Sequence, residues 1–245
     1  MTNTIREINE RRSVRAFTDR EIGKAERDAI INAALQAPTA GNMTLYSILD
    51  IRDRALKARL SETCDNQPFI ASAPMVLVFL ADYSRWVRAF ENACEEVRKP
   101  AEGDLMLAQA DALIAAQNAV VAAESLGVGS CYIGDIIENY EIHKELLHLP
   151  KYAAPAAMVV FGYPTEQQKA RKKPERFAPE DVVHENVYCE KRDAEIEEML
   201  SRHAGGLLGE ELDSWIRRFC NRKWNSEFSQ EMSRSAAAIL ADWCK

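Results

Sequence analysis

The segment APMVLVFLAD, residues 73–82, is a near-continuous apolar run rich in β-branched side chains. A run of this length without polar alternation predicts a strand that is buried on both faces. A second run of the same kind, APAAMVVFGYP at residues 154–164, is closed by Gly162 and Pro164. We therefore expect two buried strands in a central sheet.

Shorter elements surround these runs. Residues 46–51 and the segment SCYIGDI, residues 130–136, are predicted as strands, and the second enters a turn. Helices are predicted at 4–10, 24–37, 54–64 and 141–147, and a long helix that is apolar nearly all round is predicted at 105–126. Because helices separate the strands, the chain is predicted to be an α+β protein with helices packed on its sheet.

The composition changes after Pro164, where the chain becomes polar and irregular. Helices are predicted at 193–202, 212–220 and 229–243. We expect residues 1–190 to form the compact body. Residues 191–245 are expected to form a C-terminal helical extension that is not an independent domain.

The chain is acidic, with 31 Lys and Arg against 38 Asp and Glu among 245 residues and a formal net charge of −7. This balance argues against a nucleic-acid partner, which would require a basic face. The apolar helix at 105–126 contains Gln109, Asp111, Gln117, Asn118 and Glu124, so we expect it not to span a membrane. With no apolar run near Met1, the expected location is the cytoplasm.

Several common kinds of site are missing from the sequence. The six cysteines have no CxxC spacing, and the four histidines form no HExxH motif, so we predict reduced cysteines and no metal. His143 and His148 are expected to be surface or packing residues. The segment GVGSCYIG, residues 127–134, follows a helix and precedes a strand, which is the reverse of the Rossmann dinucleotide order.

A cluster of arginines, RRSVRAF at residues 11–17, stands out in this acidic background. Guanidinium groups beside a serine hydroxyl are suited to holding a phosphate, together with a second basic group at residues 171–176. The glycine-containing turns PTAGN, residues 38–42, and GVGSCYIG would let backbone amides approach a flat ring. The alternative interpretation is a solvated helix end and two ordinary turns.

The order of RRSVRAFTD, INAALQAPTAGNM, AAQNAVVAAESLGVGSCYIGDI, FGYP and KKPERF with VVHENVY resembles the FMN-dependent nitroreductase superfamily. The chain is most similar to its branch of oxygen-insensitive major nitroreductases and NADPH–flavin oxidoreductases. The resemblance covers residues 4–188. It implies a mainly antiparallel sheet flanked by helices, a C-terminal helical arm, and an intertwined homodimer with FMN at the interface.

The resemblance also implies a set of cofactor-binding residues. The early motif would hold the FMN phosphate and the pyrimidine side of the ring, and the PTAGN turn would reach the flavin from the partner subunit. The expected residues are Arg11, Arg12, Ser13, Arg15, Pro38, Thr39, Ala40, Gly41, Asn42, Gln67, Tyr132, Ile133, Gly134, Asp135, Lys173 and Arg176. Lys173 and Arg176 would complete the phosphate contacts.

The reaction implied by the resemblance is ping-pong hydride transfer from NADPH or NADH through flavin N5 to a small aromatic acceptor. Nitroaromatics, quinones and free flavin are the expected acceptors, and no side chain is expected to be catalytic. Three alternatives stay open: a flavin-storage protein, another flavin reduction such as dehalogenation or ene reduction, and a phosphate-binding module without flavin.

Three segments depart from the family pattern. Thr44 stands where many relatives have Gln, Glu175 interrupts the Lys-Pro-Arg motif, and Glu210 with Glu211 replaces a basic loop suited to the NADPH 2′-phosphate. Acidic residues would repel that phosphate, which predicts a weaker preference for NADPH. Trp86 and Phe90 are interpreted either as a substrate lid or as packing residues, and packing is favoured.

Overall fold

The computed structural model describes residues 2–245. Its strands are β1 (Tyr46–Asp50), β2 (Met75–Asp82), β3 (Gly129–Ile133) and β4 (Ala153–Gly162). They form one antiparallel sheet in the order β1–β2–β4–β3 within the described residues. The two central strands, β2 and β4, are buried along their whole length. The two apolar runs of the sequence therefore form the centre of the sheet, as predicted, and the α+β class is confirmed.

The helices fall close to their predicted positions. Those before β4 are α1 (Asn3–Glu10), α2 (Lys24–Leu35), α3 (Arg54–Thr63), α4 (Pro68–Ser72), α5 (Ser84–Ala93), α6 (Glu102–Ser125) and α7 (Tyr140–Leu146). Those after it are α8 (Glu166–Ala170), α9 (Pro179–Val182), α10 (Asp193–His203), α11 (Gly209–Lys223) and α12 (Glu227–Trp243). The sequence did not predict α4, α5, α8 and α9. Helices α4, α8 and α9 have too few residues to show helical periodicity, and α5 lies in a stretch of mixed charge for which the sequence predicted no structure.

The sheet separates two apolar layers, because successive side chains of a strand point to opposite faces. On one face, Leu77 and Phe79 pack with Ile30 of α2 and Ala119 of α6. On the other face, alternate residues of β2 and β4 pack against α3, α4 and the segment after β3. Helices thus cover both faces of the sheet.

Helix α6 meets the sheet with a row of small side chains. Ala108, Ala112, Ala115, Ala116 and Ala119 are all fully buried. By length and composition alone, an 18-residue window of α6 with a mean hydropathy of 1.4 is apolar enough to cross a membrane. The core helix of a soluble protein meets the same criterion, and the contact of α6 with the sheet is of that kind.

Two compact units make up the chain. The first contains the residues up to Arg171 together with Glu231–Lys245, and the second contains Lys172–Gln230. In the first unit, the Trp243 ring of α12 lies edge-on to Tyr83 with centroids 6.3 Å apart. In the second, Phe177 stacks on His203 at 4.5 Å. The expected division of the chain at residue 190 stays a prediction.

Candidate functional site

The arginine-rich segment at residues 11–17 lies along the edge strand β3. Val14 N donates to Ser130 O at 2.9 Å, and Ser13 forms a parallel bridge with Ser130. The approach is so close that a Cβ on Gly129 would come within 2.5 Å of Val14 Cγ2. The fold therefore brings the predicted Arg/Ser motif beside the predicted flavin stretch that begins at Tyr132.

Arg11 is half-buried, and its Nη1 atom is buried without a hydrogen-bond partner in the part of the chain described. Burial raises the pKa of Tyr132 to about 12, and the positive charge of Arg11 opposes that rise. Burial likewise raises the pKa of Glu124 on α6, against the opposing charges of Arg11 and Arg12. Because an unpaired buried guanidinium nitrogen is costly, this atom fits a role in binding an anionic group.

The neighbouring arginines have different partners. Arg12 Nη1 donates to Lys169 O at 2.8 Å and to Arg171 O at 2.5 Å, which ties the segment to the chain after α8. The backbone N of Arg15 donates to Gln168 Oε1 at 3.0 Å, and the Arg15 side chain is exposed. Contacts of Arg12 and Arg15 with phosphate stay predictions.

The PTAGN turn is held by residues that sequence reasoning did not assign to the site. The Asp111 carboxylate of α6 accepts from Ala40 N at 3.0 Å and from Leu45 N at 3.2 Å. Trp86 Nε1 donates to Met43 O at 2.6 Å, which favours the packing interpretation of Trp86 over a lid. The available indication for Asp111 was a carboxylate in the middle of a helix that is predominantly apolar.

The turn also has unusual backbone geometry. Gly41, Asn42 and Thr44 have φ values of 56°, 57° and 51°. Thr44 is β-branched, and such residues seldom occupy this region, so the turn holds local strain. Thr44 N donates to Thr39 Oγ1 at 3.1 Å, which helps to keep that conformation.

The turn and the arginine-rich segment contact different parts of α6. Asp111 holds the turn, whereas Glu124 lies near Arg11 and Arg12. These two acidic residues are thirteen positions apart on one helix, which corresponds to about 20 Å along its axis. Within one chain, the two predicted halves of the site are therefore well separated.

Gln67 and the 3-10 turn Gly134–Ile137 form a second part of the predicted site. Gln67 Nε2 donates to Cys64 O at 2.9 Å, and burial followed by the charges of Asp135 and Glu138 raises the pKa of Cys64. These charge effects place the Gln67 loop beside the turn. A Cβ built on Gly134 would meet no heavy atom within 4 Å, so the backbone there has open space beside it.

Glu138 follows this turn and was not identified from the sequence. Its side chain is 5 % exposed, and Oε1 has no hydrogen-bond partner within residues 2–245. Burial raises the pKa of Glu138 to about 7, and the nearby carboxylates of Asp135, Asp65 and Glu231 add to the rise. Only the folded arrangement could show this, because the four acids are dispersed along the chain.

The histidines and cysteines have mainly structural surroundings. His143 is fully buried, with Nδ1 2.9 Å from Ile136 O and Nε2 2.8 Å from Thr63 Oγ1, so its predicted packing role is confirmed. Cys64 and Cys131 are buried hydrophobic residues as expected, whereas Cys94, Cys189 and Cys244 are exposed. Across residues 2–245, no group of three His, Cys, Asp or Glu is arranged to hold a metal ion.

The remaining predicted residues belong to the second unit. Lys173 is half-buried and Arg176 is exposed, and their role in binding phosphate stays a prediction. Glu210 and Glu211 are exposed in the first turn of α11. Carboxylates in the first turn of a helix stabilise it through their interaction with the positive end of the helix dipole, so these two residues also have a structural role.

The chain is similar to known proteins over most of its length. Residues 8–163 match the model of the Nitroreductase family. The chain is 30% identical over 240 residues to an FMN reductase [NAD(P)H] of Bacillus subtilis, covering 97% of this chain and 91% of the relative. It is 37% identical over 188 residues to an oxygen-insensitive NADPH nitroreductase of Salmonella typhimurium, covering 77% and 75%.

A solved structure shows the same architecture over the whole chain. It is the NADPH:FMN oxidoreductase from Vibrio harveyi complexed with NAD+, with a TM-score of 0.81 and 28% sequence identity. The likeness covers 98% of each chain.

Proposed function

The chain belongs to the nitroreductase family, and from this premise we propose that it is an FMN-dependent NAD(P)H oxidoreductase. We propose a ping-pong scheme in which nitroaromatics, quinones or free flavin are the acceptors. The observation that carries the proposal is the buried, unpartnered Nη1 of Arg11 beside β3. The expected setting is a soluble enzyme of the cytoplasm.

The residues of the chain have distinct tasks in this proposal. When bound, FMN supplies the redox chemistry by accepting a hydride and passing it on. Arg11 provides positive charge for an anionic part of the cofactor, and Ser13 provides a hydroxyl next to it. The open space beside Gly134 allows a flat ring to approach the backbone. No described side chain is assigned as an acid or a base for the reaction.

We propose that the site is completed by a second copy of the chain. The turn at 38–42 bonds to Asp111 and Arg11 lies near Glu124, two residues about 20 Å apart along α6, which supports the interpretation that one chain does not bring them together. The outer side of α6 carries exposed apolar side chains, namely Met106, Leu107, Leu113 and Ile114. A homodimer would cover that apolar face and supply the turn from the partner.

The test begins with the visible absorption spectrum of the purified protein. We expect flavin bands that bleach when NADH or NADPH is added without oxygen and that return when a quinone or nitroaromatic follows. A colourless protein that takes up no added FMN would contradict the proposal. Turnover with an acceptor excludes a flavin store.

The acidic start of α11 gives a prediction about the reductant. With Glu210 and Glu211 exposed at that position, we expect kcat/KM for NADH and NADPH to differ by less than about tenfold. The measurement is steady-state kinetics with one acceptor. Replacing both residues, Glu210→Gln with Glu211→Gln, should favour NADPH, while Glu197→Gln on α10 serves as a control. A large preference for NADPH in the unmodified enzyme would reject the argument.

A further inference from the structure

A polar cavity of about 610 Å³ lies between α2, the start of α3 and the chain that continues from the arginine-rich segment. Its lining includes the cationic side chains of Arg27, Arg52, Arg54 and Lys57. The predicted cofactor residues are not among its lining residues. The cavity is therefore a separate feature of the first unit.

The cationic side chains of the cavity are only partly neutralised. Asp50 forms ion pairs with both Arg27 and Arg52, so one carboxylate is shared by two guanidinium groups. For Arg54 and Lys57, the ion pairs of the described chain include no carboxylate partner. Cationic side chains without a carboxylate partner, lying together in a half-open cleft, attract anions.

Acidic residues also line or border the cavity. Asp19 and Glu21 are both present in its lining. With Asp50, they give three negative charges against the four positive charges of the cavity. Asp53, between Arg52 and Arg54 in the sequence, is a fourth acid beside the cavity, so the attraction for an anion depends on the lack of ion pairs at Arg54 and Lys57 within the described chain and not on net charge.

Lys57 is the most informative of these residues, because it is only 9 % exposed. Its Nζ donates to Ala73 O at 2.9 Å. An ammonium group has three N–H donors, so further donors are available for an occupant. Burial lowers the pKa of Lys57 and the nearby charge of Arg27 lowers it further, whereas the carboxylates of Glu21 and Asp50 oppose the shift. A negative group in the cavity would favour the charged form of Lys57 through its opposite charge.

The backbone N–H groups at the start of α3 are not the groups expected to attract an anion to the cavity. Asp53 already caps the helix, because its carboxylate accepts from Leu56 N at 2.7 Å. Recognition would therefore depend on side chains. Guanidinium and ammonium groups together are suited to the oxygens of a phosphate.

We propose that this cavity binds the phosphate group of a small molecule at a site distinct from the cofactor site, with Arg54 and Lys57 as its principal ligands. The volume leaves room for more than the phosphate itself. Phe17, the last residue of the arginine-rich segment, lines the cavity together with Thr18 and Asp19, which follow it. An occupant would link this part of the chain to α3 and stabilise the folded protein.

The experiment is a calorimetric titration of the FMN-saturated enzyme with sodium phosphate and, separately, ribose 5-phosphate. Ionic strength is held constant with sodium chloride, and thermal denaturation is followed in parallel. Arg54→Gln is the main variant. The side chain of Arg54 is exposed, so the variant protein should fold normally. Lys57→Gln is the second variant. Arg59→Gln is the matched control, since Arg59 lies on α3 outside the cavity lining and pairs with Glu62.

We expect binding of at least one probe with a rise in Tm, and affinity about tenfold lower in Arg54→Gln and in Lys57→Gln. The control should bind as the unmodified enzyme does. Tighter binding of ribose 5-phosphate than of phosphate would assign an organic phosphate, and the reverse would assign the free ion. No binding of either probe, or equal affinity in Arg54→Gln and Arg59→Gln, would overturn the proposal.

Discussion

Arg11 and Arg12 are adjacent and chemically identical, yet their surroundings give them different roles. The Nη1 atom of Arg12 donates to two backbone carbonyls, whereas the Nη1 atom of Arg11 is buried without a partner. A buried charged group without a partner costs stability unless a ligand pairs with it. This contrast makes Arg11 the residue whose contribution depends most on the cofactor.

For Arg11→Gln we expect FMN affinity to fall by about tenfold to a hundredfold, since a charge-assisted hydrogen bond contributes about 1.5–3 kcal/mol. The FMN-free protein should lose little stability, because the substitution removes a buried guanidinium nitrogen that has no hydrogen-bond partner. Flavin fluorescence gives the affinity, and urea unfolding of the FMN-free protein gives the stability. Arg6→Gln on the exposed α1 is the control. Unchanged affinity would show that Arg11 has no part in cofactor binding.

Glu138 provides a second prediction at this scale, concerning pH. Its pKa in the folded protein is raised to about 7 from an ordinary value of 4.5, so the folded state binds the proton more tightly than the unfolded state does. The contribution of Glu138 to stability is therefore greatest at low pH. It falls as pH rises from about 4.5 to about 7, by up to about 1.4 kcal/mol per pH unit, and is constant above that.

In Glu138→Gln this pH-dependent loss should disappear. We expect the variant to gain stability relative to the unmodified protein as pH rises from 5 to 7. Urea unfolding at pH 5, 6, 7 and 8 measures the difference, with Glu145→Gln on the exposed side of α7 as the control. Parallel curves for Glu138→Gln and the unmodified protein would contradict the assignment of a proton to Glu138 near neutral pH.

Among the elements, the edge strand β3 depends on a glycine for its partner segment. The built Cβ of Gly129 lies 2.5 Å from Val14 Cγ2 and 3.0 Å from Val14 Cβ, so any larger residue must displace the arginine-rich segment. The glycine in GVGSCYIG therefore allows close packing of two backbones at this position. Sequence reasoning assigned this segment to the flavin contact alone.

We expect Gly129→Ala to destabilise the protein by about 1–3 kcal/mol, the usual cost of overpacking. Adding Val14→Ala should recover part of the loss, because it removes the clashing methyl groups. A double-mutant cycle by urea unfolding measures this coupling. Gly134→Ala is the control and should change stability by less than about 0.5 kcal/mol, since nothing lies near its Cβ. Additive effects of Gly129→Ala and Val14→Ala would reject the explanation.

For the whole molecule, the separation of the turn from Arg11 leads to a test of the proposed dimer. Asp111→Ala removes the carboxylate that holds the turn, and Arg11→Gln alters the other half of the site. If the turn acts on the partner's cofactor, a mixed dimer of these two chains contains one native site and one doubly altered site. If it acts within its own chain, both sites are altered.

We therefore expect mixed dimers, isolated with two affinity tags, to bind about one FMN tightly per dimer, while each variant homodimer binds both weakly. Flavin absorbance after gel filtration gives the stoichiometry. Dimers of unmodified chains with two tags are the control and should bind two. Mixed dimers without tight FMN would indicate that the turn acts in its own chain.

Much of the architecture followed from local patterns in the sequence. Apolar runs predicted β2 and β4, and helical periodicity predicted α2, α3 and α6, because burial against a core requires such patterns. The order of the motifs along the chain was enough to indicate the family, because short motifs can be recognised in one sequence without its tertiary structure. Short helices such as α4 and α8 left no such pattern, so they were not predicted.

The roles of individual site residues depended on tertiary structure. The fold decides which segments of the chain come together. It therefore decides whether an arginine is unpaired, whether a glutamate is buried among other acids, and whether an aspartate bonds to a distant turn. Arg11, Glu138 and Asp111 are examples, since their partners or neighbours come from distant parts of the chain. Sequence alone determined the chemistry that was available, and the folded arrangement decided which groups are desolvated and which are paired, because desolvation and pairing are properties of three-dimensional neighbours.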